Sequence, residues 1–389
     1  MRRLVLYALA GWVFLIGGRA FAYPQFQFSS GTTRCSQCHY DPAGGGLITS
    51  WGRDESGDTI SLGGNGGFAH GAWTPPSWLA LGADVRLAGL YNNSGGPQGA
   101  ELAAFPMQAD GYARFAFTEQ LSLYLEGGIR GDTRPEDPSV SGRVNTVGSR
   151  LMSNEHYLMW KSGGTGPYAR AGRFYAPYGL RFVEHIYWVQ RYTGYDLYNE
   201  TYNLSGGVVE DEWELHVSAF TPPPESFPDG LQSVGRRESG VAAYAEKRWD
   251  GTGMLGLQMR LGFNSEIARY QGGAVGKLWL EKGRALLLGE ADVIRANVSA
   301  ASAGETQLVT YLGVNLFPRR GWMVGVAHEL YQESLSVKGS AHDAFDLEVN
   351  FFPWAHFELL ALGRYQFTGT GGAGETSASM FMLQLHYYL

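Results

Sequence analysis

The chain has 389 residues, enough for two or three ordinary domains or for one large β-barrel with an appendage. Its formal charge of −7 gives no reason to expect nucleic acid as a partner. Its 55 glycines are about twice the usual share, and with 22 Tyr, 20 Phe and 11 Trp they favour strands and loops over helical bundles.

The first residues read as an export signal. Arg2 and Arg3 are basic, Leu4 to Gly18 is apolar, and Ala20-Phe21-Ala22 is a small-x-small cleavage site. Residues 1–22 are expected to be removed, with the mature chain starting near Tyr23. A retained anchor is the rival, but the apolar stretch falls short of the roughly 20 residues a helical span needs. No later stretch reaches that length, so a mature protein in a membrane would sit there as strands.

Both cysteines of the chain fall in Cys35-Ser36-Gln37-Cys38-His39. This is the spacing of a c-type haem attachment sequence. Two thiols add to the two haem vinyl groups, two residues set their separation, and His39 comes next as the proximal iron ligand. A disulfide or redox Cys-x-x-Cys is the plainer alternative, but no thioredoxin-like βαβ pattern surrounds it. A structural zinc site would want a second ligand pair, which is absent. One covalent haem c is therefore the expected cofactor.

Residues 23–78 form a small segment and linker around that motif. Phe26, Phe28 and Trp51 are candidates to shield a porphyrin. Pro42 and Gly44-Gly45-Gly46 read either as a turn that lets backbone approach the haem edge or as a flexible connector. The segment is too short for a large core of its own, and it is expected to lean on, or enter, the rest of the chain. Trp73-Thr74-Pro75-Pro76 is a stiff link with little reach.

From residue 79 to 389, segments of about ten residues alternate apolar and polar side chains, as transmembrane strands do. Leu255, Leu257, Met259, Leu261 and Phe263 alternate with Gln258 and Arg260; Phe345, Leu347, Val349 and Phe351 alternate with Asp346, Glu348 and Asn350. Sixteen strands are predicted, at 79–90, 109–118, 120–131, 153–162, 166–175, 203–210, 213–220, 239–248, 253–263, 272–281, 284–296, 306–316, 321–331, 342–352, 355–367 and 379–389. Their connections alternate. Short ones fall at Glu119, 163–165, 211–212, 249–252, 282–283, 317–320 and 353–354; the long ones include 91–108, 132–152, 176–202 and 221–238. Tight periplasmic turns and long outer loops have this pattern, which puts both chain ends in the periplasm. The chain end, Phe381-x-Leu383-x-Leu385-x-Tyr387-x-Leu389, resembles the sorting signal read by the barrel-assembly machinery, which usually ends in Phe. A soluble β-sandwich would also alternate; the loop lengths and the export signal favour the barrel. The expected fold is thus all-β, an antiparallel transmembrane β-barrel of about sixteen strands, with the haem segment 23–60 packed in its lumen.

By alternation the inner face carries both signs of charge: Asp84, Arg86, Arg114, Glu126, Arg130, Glu155, Lys161, Glu214, Glu246, Arg248, Arg260, Lys277, Glu290, Asp292, Glu348, Glu358 and Arg364. Such groups tune a pore, bond across a small lumen or hold a plug. The 176–195 stretch, with Tyr178, Phe182, Tyr187, Trp188, Tyr192 and Tyr195, is too aromatic for an ordinary solvated loop. It reads as a constriction folded into the lumen, or as a path of aromatics beside the haem.

An export signal, one Cys-x-x-Cys-His and a barrel of about sixteen strands resemble the fused outer-membrane cytochrome–porins of iron-oxidising bacteria over nearly the whole mature chain. Pro24, Phe26, Gly31 and Gly52-Arg53 match positions of that family's haem segment. Phe28-Ser29-Ser30 stands where the family has Arg-Gln-Thr, so the resemblance implies the architecture and leaves the electron donor open. The stretch Gly172 to Arg181 is similar to one in phosphate-selective-type and electron-conduit porins.

Three functions stand as expectations. One is outer-membrane electron transfer between an extracellular donor or acceptor, Fe(II) among them, and periplasmic cytochromes or other carriers. The alternative is a solute porin with a haem-bearing plug. A haem enzyme such as a peroxidase would want a distal acid–base residue. For the second iron ligand, His70 comes first as the only other histidine before the barrel, then His185 and Met107; His70 also reads as a plain linker residue.

Overall fold

The computed structural model describes residues 23–389 other than 94–99, 131–150, 185, 197–198, 224–236, 250, 299–303 and 373. Sixteen antiparallel strands close into one barrel in which each strand pairs with its sequence neighbours. They are β1 (Leu79–Asn93), β2 (Ala100–Ala116), β3 (Leu121–Arg130), β4 (Leu151–Lys161), β5 (Gly166–Phe174), β6 (Thr201–Val209), β7 (Trp213–Thr221) and β8 (Ser239–Trp249). The second half is β9 (Gly253–Phe263), β10 (Ile267–Leu280), β11 (Ala285–Val298), β12 (Glu305–Leu316), β13 (Trp322–Gln332), β14 (Ala341–Phe351), β15 (Phe357–Thr370) and β16 (Thr376–Tyr388). Closure comes from β1 against β16, with Asp84 opposite Tyr388 and Asn93 opposite Ser379. Full closure leaves no unpaired sheet edge, which a sandwich would have.

Alternation decides the two faces. On β16, Phe381, Leu383 and Leu385 point out and are exposed, while Met382, Gln384 and His386 are buried inside. β9 repeats this with Leu255 and Leu257 outside and Gln258 and Arg260 inside. Exposed Trp78, Phe117, Trp160, Trp213, Trp249 and Trp354 gather at the short-turn end. Tyr91, Phe263, Tyr270 and Tyr365 form a second exposed set at the other end. An apolar outer band between two aromatic girdles is the signature of a membrane barrel.

Two fillers occupy the lumen. From the short-turn end, residues 23–63 enter as helix α1 (Cys35–Cys38), a narrow hairpin and helix α2 (Ser50–Glu55), which runs on to Ile60. The hairpin is closed by His39 bridged to Ile48 and by Tyr40 N donating to the Leu47 carbonyl at 3.1 Å. The three glycines at its tip all have positive φ, of 88°, 93° and 61°. Gly46 also touches the wall, since a Cβ there would meet Tyr124 Oη. The glycines are thus a built turn, not a loose connector.

From the long-loop end, the described residues of the 175–200 stretch fold inward around helix α3 (Trp188–Arg191). Tyr178, Leu180, Phe182, Tyr187, Trp188 and Val189 are buried. The loop is tied to the wall: Tyr178 Oη donates to Asp292 at 2.6 Å, Gly179 N to Gln258 at 2.9 Å and Leu180 N to Glu290 at 2.6 Å. Tyr187 Oη donates to Glu348 at 2.9 Å. This is the constriction that its aromatic content predicts.

The entering segment is held the same way. Lys277 donates to Gln27, Arg320 to the Ser61 and Gly57 carbonyls, and Leu62 N to the Phe352 carbonyl at 3.0 Å. Leu47 is fully buried among Tyr124, Tyr157, Met159 and Phe174 of the wall, a burial that contributes about 1.5–3 kcal/mol. At the centre Arg170 of β5 donates to Asp41, and its guanidinium lies 3.7 Å from the Phe174 ring centre. Burial pushes the Asp41 carboxyl up, but Arg170 and Arg181 more than offset this and hold it below its usual range.

Replacing Asp41 with Ala leaves the Arg170 guanidinium buried without its counter-charge. Docking of residues 23–63 is expected to weaken by about 3–5 kcal/mol, read as faster proteolysis of that segment while the barrel keeps its heat-modifiable gel migration. Asp41→Ala combined with Arg170→Met should recover most of the loss. An undiminished loss in the double variant would mean that this pair does not hold the segment.

Candidate functional site

Helix α1 puts Cys35 and Cys38 three residues apart, on one face of a single turn. His39 caps that turn, its amide donating to the Cys35 carbonyl at 3.0 Å. Gly52 of α2 packs against the same turn so closely that a Cβ there would lie 2.5 Å from the Cys38 carbonyl oxygen. The two thiols are free. Burial raises Cys35 to about 11, and burial with the neighbouring Cys35 raises Cys38 to about 12. A redox Cys-x-x-Cys needs the opposite shift, toward the thiolate. Burial lowers the His39 imidazole to about 4, against the pull of Asp41 and of the Gly46 and Gly45 backbone. The ring is therefore neutral at ordinary pH, the form in which histidine binds a metal. Its Nδ1 is buried with no hydrogen-bond partner among the described residues.

Cys35, Cys38 and His39 all line one cavity inside the barrel. It encloses about 1220 Å³ of atom-free space, part of it open to solvent. Phe26, Ile48, Ile60 and Phe352 give it apolar walls; Arg34, Arg181 and Lys277 bring positive charge, and Asp84, Glu214 and Glu246 negative charge. Pro177, Tyr178 and Gly179 of the inward loop close the far side. A partly apolar slot with two free thiols one turn apart and a neutral imidazole beside them has the donor set that a covalently held haem would need.

A second cavity, of about 610 Å³, separates the Gly44–Gly46 turn from the loop; Glu126, Glu155, Glu200 and Glu290 line it with Gln190 and Arg181.

The other sequence candidates fall elsewhere. Phe26 lines the main cavity, but Phe28 is buried in the large aromatic cluster under the loop, and Trp51 of α2 is half exposed and not part of the lining. Met107 packs with Leu360, Leu362 and Met382 and does not line the cavity. His185 lies outside the described residues. His70 is exposed near the short-turn mouth, with Nε2 3.1 Å from Tyr387 Oη, and is not part of the lining. The second imidazole of the lining is His386 of β16. The alternation of the last strand turns that residue inward, which is its signal in the sequence; closeness along the chain to the motif points only to His70.

No protein-family model matches the chain, and neither does any curated protein. Solved structures do. OmpT expressed in the outer membrane of Vibrio cholerae superposes with a TM-score of 0.59 at 10% identity, over 81% of this chain and 99% of that one. The fold is that of outer-membrane porins. The anion-selective porin from Comamonas acidovorans gives 0.56 at 13% identity, over 80% and 99%. The outer membrane channel DcaP of Acinetobacter baumannii gives 0.54 at 10%, over 80% and 97%. At these identities the likeness is one of fold.

The rim of the site carries a pH-sensitive contact. His356, in the turn before β15, is fully buried; its ring centre is 5.1 Å from that of His70, and its amide donates to Ser56 Oγ at 3.2 Å. Burial, then His70, lowers its pKa to about 4. When residues 57–71 undock, that imidazole regains an ordinary pKa of about 6.5 and takes up a proton more readily. Docking is therefore fully supported above about pH 6.5 and is lost as pH falls toward 4. Amide exchange across 57–71, corrected for intrinsic rates, should be faster at about pH 5 than at about pH 7.5. His356→Phe should remove the difference, and an unchanged difference would clear His356 of the role.

Proposed function

We propose that the chain sits in the bacterial outer membrane with both termini in the periplasm. It carries one covalent haem c inside the barrel on Cys35, Cys38 and His39. It passes single electrons between an extracellular donor or acceptor and periplasmic cytochromes or other carriers, as expected for a fused cytochrome–porin. The observation that carries this reading is that all three motif residues line one cavity enclosed by a closed membrane-type barrel.

When bound, the haem supplies reversible one-electron exchange at its iron. The chain's part is to fasten, orient and shield it. The thiols of Cys35 and Cys38 would fasten it, and neutral His39 would offer a nitrogen to its iron. Arg34, Arg181 and Lys277 would offer positive charge to its carboxylates. Phe26, Ile48, Ile60 and Phe352 exclude water from its faces. Outer-sphere transfer asks for close approach and not for further catalytic residues.

A solute porin with a haem-bearing plug is the second reading, and the structural neighbours favour it, an anion-selective porin and an outer membrane channel among them. Its requirement is an aqueous path past residues 23–63 and 175–200, both of which pack against the inner wall.

The readings separate by experiment. Full-length protein matured with haem-ligation machinery should exceed the apo mass by one haem and keep haem-dependent peroxidase staining on denaturing gels. Cys35→Ala with Cys38→Ala should abolish both. In planar bilayers the electron carrier should pass small solutes poorly. Haem with open-porin conductance moves the assignment to the second reading, and a haem-free native protein removes the cofactor from both.

A further inference from the structure

We propose that His386 is the second axial ligand of the haem iron. The inference rests on the haem reading above and concerns only the side opposite His39. His386 sits on the inward face of β16, is 2% exposed and lines the same cavity as Cys35, Cys38 and His39. Among the described residues of that lining, His39 and His386 are the two imidazoles, and no methionine takes part.

The surroundings of the ring prepare one nitrogen for a metal. His386 Nδ1 lies 2.7 Å from Glu358 Oε2. Glu358 is itself fixed: Tyr23 Oη donates to Oε2, and Asn350 Nδ2 donates to Oε1 at 2.6 Å. A carboxylate on one ring nitrogen fixes the tautomer, leaves the lone pair on the other and sets the ring plane, as in metal-binding histidines generally. Nε2 is that other nitrogen. It is buried and forms no directed hydrogen bond among the described residues. Its nearest charged neighbour is Asp84 Oδ2 at 3.2 Å. Asp84 also accepts two bonds from Arg86, at 3.1 and 3.2 Å, so it keeps a counter-charge when Nε2 is given to iron. With Nδ1 held by Glu358 and Asp84 held by Arg86, Nε2 is the ring nitrogen that can be given up to iron. His70, by contrast, spends its Nε2 on Tyr387 at the exposed rim.

The rival role for His386 is an imidazolium bridging Asp84 and Glu358, with no contact to the haem. Spectroscopy of full-length haem-loaded protein in detergent distinguishes the two. The ferric wild type should be six-coordinate and low-spin with bis-imidazole signatures by electron paramagnetic resonance and near-infrared circular dichroism. His386→Ala should turn it high-spin and let the ferrous form bind carbon monoxide, and added imidazole should restore the low-spin state. His386→Met should convert the near-infrared signature to His/Met and raise the midpoint potential, the direction thioether ligation gives. His70→Ala should leave every spectrum unchanged. Where the Ala variant fails to assemble, His386→Met and His386→Gln, which keep the side chain's length, carry the test. A bis-imidazole low-spin spectrum that survives in whichever His386 variants assemble overturns the assignment while the haem reading stands. A wild type that carries no covalent haem overturns both.

Discussion

A closed sheet of sixteen strands encloses more space than its own inward side chains fill, and barrels of this size hold an aqueous channel unless something occupies it. Its inner face also carries charges that cannot be left unpaired away from bulk water. The rest of the structure answers this constraint. Arg248 is met within the wall, at 2.8 Å from Glu214 and by Glu246. Arg364 needs more: Glu329 and Asp346 from the wall, and the Ile186 carbonyl of the inward loop at 2.6 Å. Arg170 takes Asp41 from the entering segment. Loop and segment thus complete the electrostatics of the wall as well as its packing.

The dependence runs the other way too. Residues 23–63 form two short helices and a hairpin, too little to bury a core alone. Their apolar side chains are spent on the wall: Leu47 among Tyr124, Tyr157 and Met159, and Phe28 in the cluster of Tyr244, Met254 and Leu286. The geometry of the Cys-x-x-Cys-His turn is therefore set by the barrel around it. Gly52 brings α2 within backbone contact of Cys38, and Thr49 Oγ1 donates to the Gln37 carbonyl at 2.6 Å, so the two helices move as one piece.

Most of the barrel was legible because one face of each strand is apolar and the other polar. All sixteen strands and the alternation of connections come from that pattern. β2 shows where it fails: it begins at Ala100, not near 109. The register slips between Arg86 and Leu87, where Gln108 and Pro106 are the successive partners and Met107 has none. A bulge there reverses the alternation, so the first half of β2 reads as loop. β10 begins at Ile267 and not 272, because Gly272-Gly273 hides the strand rhythm. The motif residues were legible from local spacing alone. Asp41 with Arg170 was not, since the partners stand 129 positions apart and no local pattern joins them. His386 was legible as an inward residue but not as lining the same cavity as Cys35, because what faces one cavity across the lumen is a property of the closed barrel.

The barrel's apolar band is about 25 Å tall, and a single cofactor at either rim would be remote from the opposite side. The segment enters from the short-turn end and the loop from the long-loop end, and the main cavity lies where they meet, with Cys35 on one side and Tyr178 on the other. Beyond it toward the loops come rings in close succession: Tyr178 stacked 4.9 Å from Tyr195, and Phe182 4.6 Å from both Tyr187 and Tyr311. On the electron-transfer reading, this arrangement divides one long transfer into two shorter ones without a second haem. It also gives the inward loop a reason to be aromatic and not merely bulky. A constriction that only blocked solutes would be served by any well-packed side chains, whereas stacked rings beside a cofactor keep polarisable groups along the remaining distance.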